Sequence, residues 1–295
     1  MINPRRRVLR TVIGIFGFAA LCVPFLRGML AGQERARKET PPLDVLVIAP
    51  HPDDEALGCA GVMLQAIDRK QRVGVVLVTN GDGFPNAAAV VAKKTEAQLE
   101  AADFVRLAGI RQQHSVRALT RIGVRASDLM ALGYPDSGLK AMYEAKAETP
   151  YRQRFTGKTE TYGLVLRDYH ALAHGRPAPY VRSSVLGDLV EIVRTRRPQE
   201  IYVTNEADTH PDHKATYWFV RDTAKAAGYR GTLFTFVVHC KPPTTPAHHV
   251  PLTDAQQGRK RAMIEEYQTK LSPIHDDLAE KFTGVEEVFW PIRIE

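Results

Sequence analysis

Two strand-length stretches, Asp44–Ala49 (DVLVIA) and Arg72–Thr79 (RVGVVLVT), are apolar at nearly every position instead of every second one. A strand with one wet face alternates. A continuous apolar run needs cover on both faces, the situation of a parallel sheet lying between helices. Glu55–Arg69, between the two runs, has helical periodicity, and a crossover of that size is what a parallel pair requires. The same alternation continues down the chain. Strands are expected within Ser115–Thr120 and over Leu129–Tyr134, Glu200–Thr204 and Thr232–His239. Helices are expected over Ala87–Ala108, closed by Gly109, and over Ser183–Arg196, His213–Ala227 and Thr253–Thr269, with Thr253 as N-cap. Residues 141–181 mix charge, aromatics, Gly and Pro without a period and read as an irregular excursion over the active face. The predicted class is α/β, a mostly parallel sheet with helices on both faces.

Charge separates the N-terminus from the rest. The net charge is +7, yet residues 1–40 hold eight Arg or Lys and two acids, leaving about +1 for the remainder. With no basic stripe interleaved with aromatics, nucleic acid is not an expected partner. Arg5, Arg6, Arg7 and Arg10 precede an uncharged apolar stretch, Thr11–Leu26. Residues 1–31 therefore read as an N-terminal apolar helix that anchors the chain in a membrane, with a cleaved export signal as the alternative. Basic residues in front of the span would stay cytoplasmic and send the following domain to the outer, periplasmic or extracellular side. Residues 32–43 (GQERARKETPPL) read as a linker and 44–295 as the catalytic domain. Cys22, Cys59 and Cys240 form no CxxC pair and read as single thiols.

In a parallel sheet, ligands bind outside the carboxyl ends of the strands. A dinucleotide fold would place Gly-x-Gly-x-x-Gly after its first strand. This chain has Pro50-His51-Pro52-Asp53-Asp54-Glu55 there. His51 and Asp54, three apart on a strand-to-helix turn, can aim at one point, with Asp53 projecting differently, near a metal yet free of it. His210-Pro211-Asp212-His213 follows the Glu200–Thr204 strand across a loop and falls on the same edge. Capped helix starts with solvated acids would explain either motif alone; two histidines and an acid facing a His-Asp pair are hard to explain by packing. Two His and one carboxylate with an open position is the donor set of catalytic zinc. Such a site needs a base, for which Asp53 is the candidate, and a charge stabiliser, for which a cationic His210 would serve. Asp212 could fix a histidine tautomer.

These motifs, A-P-H-P-D-D-E-A-L-G-C-A-G (49–61) and H-P-D-H-K-A-T (210–216), resemble those of the PIG-L/LmbE-type zinc-dependent N-acetylglucosaminyl deacetylases. Weaker matches are T-N-G-D (79–82), K-x-x-E (93–96), L-G-Y-P-D (132–136) and E-Y-Q-T-K (266–270). The resemblance spans Asp44 to the C-terminus and implies a Rossmann-like fold. It implies one zinc held by His51, Asp54 and His213, Asp53 as general base, His210 as oxyanion stabiliser, and Asp212 as the acid supporting His210. The implied substrate is an N-acetylated amino sugar in a glycoconjugate. A sugar-binding arginine of the family falls on Lys93, a departure because lysine cannot reproduce a bidentate contact. Asn80 stands where many members carry an acid. Three other activities share some of these residues: an amidase on a larger conjugate, a phosphoester hydrolase, and a non-catalytic sugar-binding protein. The second commonly needs two metals with bridging carboxylates, which the motifs do not supply. The third would be signalled by a lost ligand or base, and none is lost.

Overall fold

The computed structural model describes residues 40–241, 243–246, 248–268 and 278–294. Five strands run parallel: β1 (Val45–Ala49), β2 (Val73–Thr79), β3 (Leu129–Tyr134), β4 (Glu200–Thr204) and β5 (Thr232–Phe236). Two more, β6 (His248–Pro251) and β7 (Glu286–Ile292), extend the sheet antiparallel beyond β5, giving the order β3-β2-β1-β4-β5-β7-β6. The strand order reverses between β1 and β4, so their carboxyl ends open the crevice where such sheets bind ligands.

The continuous apolar run of β1 has a direct cause. Val45, Val47 and Ala49 enter one core, while Leu46 and Ile48 enter the other. The first core is filled by α1 (Asp54–Asp68), α3 (Ala101–Ile122) and α8 (Asp254–Gln268) through residues such as Met63, Leu119 and Ile264. The second is filled by α4 (Leu139–Glu144), α6 (Arg182–Arg196) and α7 (Pro211–Ala227) through Met142, Leu189 and Phe219. Helices thus cover both faces of a mostly parallel sheet, as predicted. Shorter helices are α2 (Pro85–Ala92), α5 (Tyr169–His174) and α9 (Leu278–Phe282).

Three expectations require correction. The helix predicted over Ala87–Ala108 is two helices: α2 ends at Lys93, whose backbone is left-handed, and a capping box between Thr95 and Gln98 starts a 3₁₀ turn before α3. The strand expected within Ser115–Thr120 is the last part of α3, which runs through Gly109 and stops at Gly123, with φ of 108°. A mid-helix glycine costs about 1 kcal/mol and does not by itself end a helix; here it faces Leu164. The antiparallel strands β6, at the sheet's edge, and β7, beside it, were not anticipated. Pro251 and Pro291 interrupt their pattern; Pro251 is on the edge strand and Pro291 lies past the part of β7 that β6 pairs with, so both stand where strands tolerate proline. Residues 1–31, read as an apolar anchor, and most of the 32–43 linker lie outside the described residues, as does Cys22. Among the described residues no helix is long and apolar enough to cross a membrane. Cys59 and Cys240 are free thiols.

The excursion after β3 covers the carboxyl ends of β2 and β3. Asn80 donates to the Tyr162 carbonyl and the Tyr162 hydroxyl donates to Asp82. Gly133, with φ of 77°, lets the Tyr162 backbone approach to within 2.5 Å of where a Cβ would stand. Three residues on, Asp136 reaches the crevice, where its carboxylate accepts from the Gly83 N–H at 2.8 Å.

Candidate active site

Both motifs arrive on the crevice between β1 and β4. His51 follows β1, and Asp54 opens α1 with Asp53 at its N-cap. His210 caps α7, where Pro211 fills the first turn that tolerates proline, and His213 lies one turn in. The His51 ring centroid is 4.8 Å from that of His210 and 5.2 Å from that of His213. A cavity of about 400 Å³ opens here, lined by His51, Asp53, Asp54, Arg111, His210 and His239, with Phe84, Leu57 and Val238 as an apolar wall.

The hydrogen-bond pattern leaves specific lone pairs for a cation. His51 Nε2 faces Asp212 Oδ2 at 3.3 Å and Asp136 Oδ1 at 3.4 Å, so Nδ1 is the nitrogen turned to Asp54 Oδ2, 3.1 Å away. His213 Nδ1 faces Asp208 Oδ2 at 3.2 Å. Its Nε2 is buried without a hydrogen-bond partner, though Asp54 Oδ2 stands only 3.2 Å away. An orphaned buried nitrogen costs free energy unless something fills the position, and a metal does so. In each histidine the far nitrogen is held by a carboxylate, the arrangement that fixes the tautomer of a metal ligand. The charges agree. Burial by itself would lower His213, yet Asp54 and Asp208 raise it to about 9. Burial likewise opposes ionisation of Asp54, but His213 and His51 hold its carboxyl well below the usual range. Five aspartates (53, 54, 136, 208 and 212) contact His51, His213 and Arg111, so the acids outnumber the basic side chains they touch. The residues fit the metal that the motifs imply.

Asp53 differs from Asp54 as the sequence suggested. Its side chain keeps 27% of its surface open against 2% for Asp54, so it is the one that reaches water in the cavity. Its backbone φ is 138°, a strained value for a residue with a Cβ. Two contacts hold it there: its N–H donates to Glu55 Oε2 at 3.1 Å, and its Oδ2 accepts from Arg111 Nη2 at 3.0 Å. Burial raises the Asp53 carboxyl and Arg111 opposes the rise, leaving it at about 6. Glu55 in turn accepts a short hydrogen bond from the Tyr267 hydroxyl, and burial pushes it up to about 8.

Three expectations are not met. Burial, His51 and His213 push His210 down to about 3, against the cationic form expected of it. Its Nδ1 accepts from the Asp212 backbone N–H at 3.2 Å, which leaves Nε2–H as its donor. The Asp212 carboxylate does not support His210. It faces His51 and accepts from the backbone N–H groups of Ser137 and Leu139 at 2.6 and 3.0 Å. Lys93 is exposed at the end of α2 and does not line the cavity; the cations that do are Lys281 and Arg111, and Arg111 also donates to the carbonyls of Gly81 and Pro52. Asp208, Asp136 and His239 join the site without having been singled out. The His239 ring is 4.7 Å from that of His213 and 5.4 Å from that of His210. Asp136 belongs to the L-G-Y-P-D match, a signal that could have found it; His239 carried none, since it reads as the end of a strand.

The family model described as PIG-L, GlcNAc-PI de-N-acetylase, matches residues 46–224, from β1 through most of α7. The N,N'-diacetylchitobiose deacetylase of Pyrococcus horikoshii shares the fold at 20% identity and a TM-score of 0.54, over 97% of this chain and 95% of that one. The conserved protein TT1542 of Thermus thermophilus does so at 20% identity and 0.54, over 86% and 96%. GalB, a 4-carboxy-2-hydroxymuconate hydratase of Pseudomonas putida, is similar at 13% identity and 0.58, over 87% and 97%. No curated protein sequence matches. A deacetylase and a hydratase on one scaffold show that fold alone does not fix chemistry; the family model, covering both motifs, does the assigning. The chain belongs to the PIG-L family and is a hydrolase of its N-deacetylase type.

Proposed function

We propose that this chain hydrolyses the acetamide of an N-acetylglucosamine-type sugar in a glycoconjugate, with zinc held by His51, Asp54 and His213. The observation that carries the reading is the pairing of two imidazole lone pairs and one buried carboxylate with a second, water-accessible carboxylate, Asp53. When bound, zinc supplies Lewis acidity at neutral pH toward water and toward an amide carbonyl. Asp53 takes the proton from the attacking water. A carboxyl near 6 is ionised at neutral pH yet basic enough to hold that proton. Arg111 aims the carboxylate and keeps it ionised between turnovers. His210 presents Nε2–H to the oxygen on which negative charge develops, as a neutral hydrogen-bond donor. With His210 neutral, Asp53 is also the group that returns the proton to the departing amine. A cavity of about 400 Å³ lies within the range that holds a small ligand.

The N-terminal Arg cluster and apolar run support a further part of the reading: residues 1–31 anchor the enzyme, and the catalytic domain works on envelope glycoconjugates at the outer side. The test is acetate release from N-acetylglucosamine-containing conjugates, with and without a chelator, beside assays for phosphate release and for larger acyl groups. Chelator-sensitive acetate release supports the reading. Phosphate release, or release of larger acyl groups alone, replaces it. Zinc binding with no turnover of any of these substrates would point to a sugar-binding protein.

A further inference from the structure

A second group of imidazoles and carboxylates lies where α5 meets α6, and none of its members lines the active-site cavity. His170 and His174 are four residues apart on α5, a spacing that puts both on one helix face. Their ring centroids are 4.4 Å apart. Asp188 and Glu191, three apart on α6, face them: His170 Nδ1 is 2.7 Å from Asp188 Oδ1, and His174 Nε2 is 2.9 Å from Glu191 Oε2. One ligand atom from each of His170, His174 and Asp188 lies within 4.8 Å of the other two. Asp188 is nearly fully buried and its other oxygen accepts from the Tyr134 hydroxyl at 2.6 Å, so its position is fixed by the core. Glu191 and His174 are open to solvent, which leaves a path of entry.

We propose that His170, His174 and Asp188, with Glu191 as the fourth donor, bind a second divalent transition metal. Two imidazoles and two carboxylates suit zinc in chemistry and number. The i, i+4 histidine pair on a helix is a spacing that zinc sites use. The metal has structural work to do. α5 has six residues, too few to be stable alone. It starts at Asp168, whose side chain caps the helix and also bonds Thr161, next to the Tyr162 that closes over β2 and β3. A metal joining α5 to α6 therefore fixes the excursion that covers the active face, without touching the reaction.

The test uses the full, untagged chain, stripped by chelator and reloaded with Zn²⁺ alone, with bound zinc counted per chain by mass spectrometry. Wild type is expected to take up two equivalents. His213→Ala and His174→Ala are each expected to keep one. His174→Ala should hold acetate release within about twofold of wild type and lose about half of the zinc-dependent rise in melting temperature. Glu191→Gln, which does not disturb the buried Asp188, should weaken one of the two equivalents roughly tenfold. Two equivalents retained by His174→Ala would overturn the proposal. So would one equivalent in wild type that disappears in His213→Ala. One equivalent in wild type, kept by His213→Ala and lost by His174→Ala, would support this site and refute the central one.

Discussion

Replacing Arg111 by Gln should move the acid side of the pH–rate profile toward alkali. Arg111 Nη2 stands 3.0 Å from Asp53 Oδ2 in a buried setting. An opposite charge this close lowers a carboxyl pKa by about 1–3, equivalent to about 1.4–4 kcal/mol. Without it, Asp53 should rise from about 6 to roughly 7–9. A general base works deprotonated, so kcat/KM should climb with pH through the new value. At pH 7 the ionised fraction falls from about nine-tenths to between roughly one half and one hundredth. The deficit at pH 7 is therefore about 2- to 100-fold, and most of it should be recovered by pH 9–10. Arg111→Lys keeps the charge and should leave the limb close to its wild-type position, although the fork to Gly81 and Pro52 is lost. The assay is acetate release at low substrate concentration from pH 5 to 10. An unmoved limb in Arg111→Gln, with kcat/KM lowered equally at every pH, would show that Arg111 acts on substrate or fold and not on Asp53.

Glu55 links pH to stability with a definite sign. Its folded pKa of about 8 lies above the ordinary 4.5, so the stability its protonated form contributes is complete below 4.5 and is lost as pH rises through 8. Glu55→Gln has no proton to release and should flatten the fall in urea midpoint between pH 4.5 and about 8; an unchanged slope would remove Glu55 from the account. Asp208 accepts from His213 and from the backbone N–H groups of Val238 and His239. Asp208→Asn should therefore lower zinc affinity about 10- to 100-fold in competition with a chelator, and full affinity would mean that the His213 tautomer is fixed some other way.

The parts of the molecule legible in sequence are those where one physical demand acts alone. β1 and β2 had to be buried on both faces, and their continuous apolar runs say so. β4 falls on Glu200–Thr204, as expected from the sequence. The His-Pro-Asp turns sit where strand ends meet helix starts, so their placement follows once the strands are known. α3 departs from its predicted pattern because two demands meet on it. Its buried residues are Phe104, Leu107, Ala108, Arg111, Gln112, His114, Ser115, Ala118, Leu119 and Ile122, an unbroken helical spacing. Four of them are polar, with Arg111 reaching the crevice and Gln112 the excursion, and together they break the apolar signal midway. Arg111 stays hidden for the same reason: Gly109 reads as a terminator two residues earlier, and the family resemblance points to Lys93 for the cation. The lowered pKa of His210 is also beyond the sequence, because it depends on burial and on His51 from the other motif as well as on His213.

Zinc content measured beside acetate turnover in Asp53→Asn and His213→Ala tests the central claim most directly. Asp53→Asn keeps the shape and can still accept from Arg111. It should hold as much zinc as wild type while losing about 10²- to 10⁴-fold in turnover. His213→Ala should hold one equivalent of zinc fewer than wild type and lose turnover with it. Loss of zinc from Asp53→Asn, or a full wild-type zinc count in His213→Ala, would contradict the division of this site into a metal triad and a separate base.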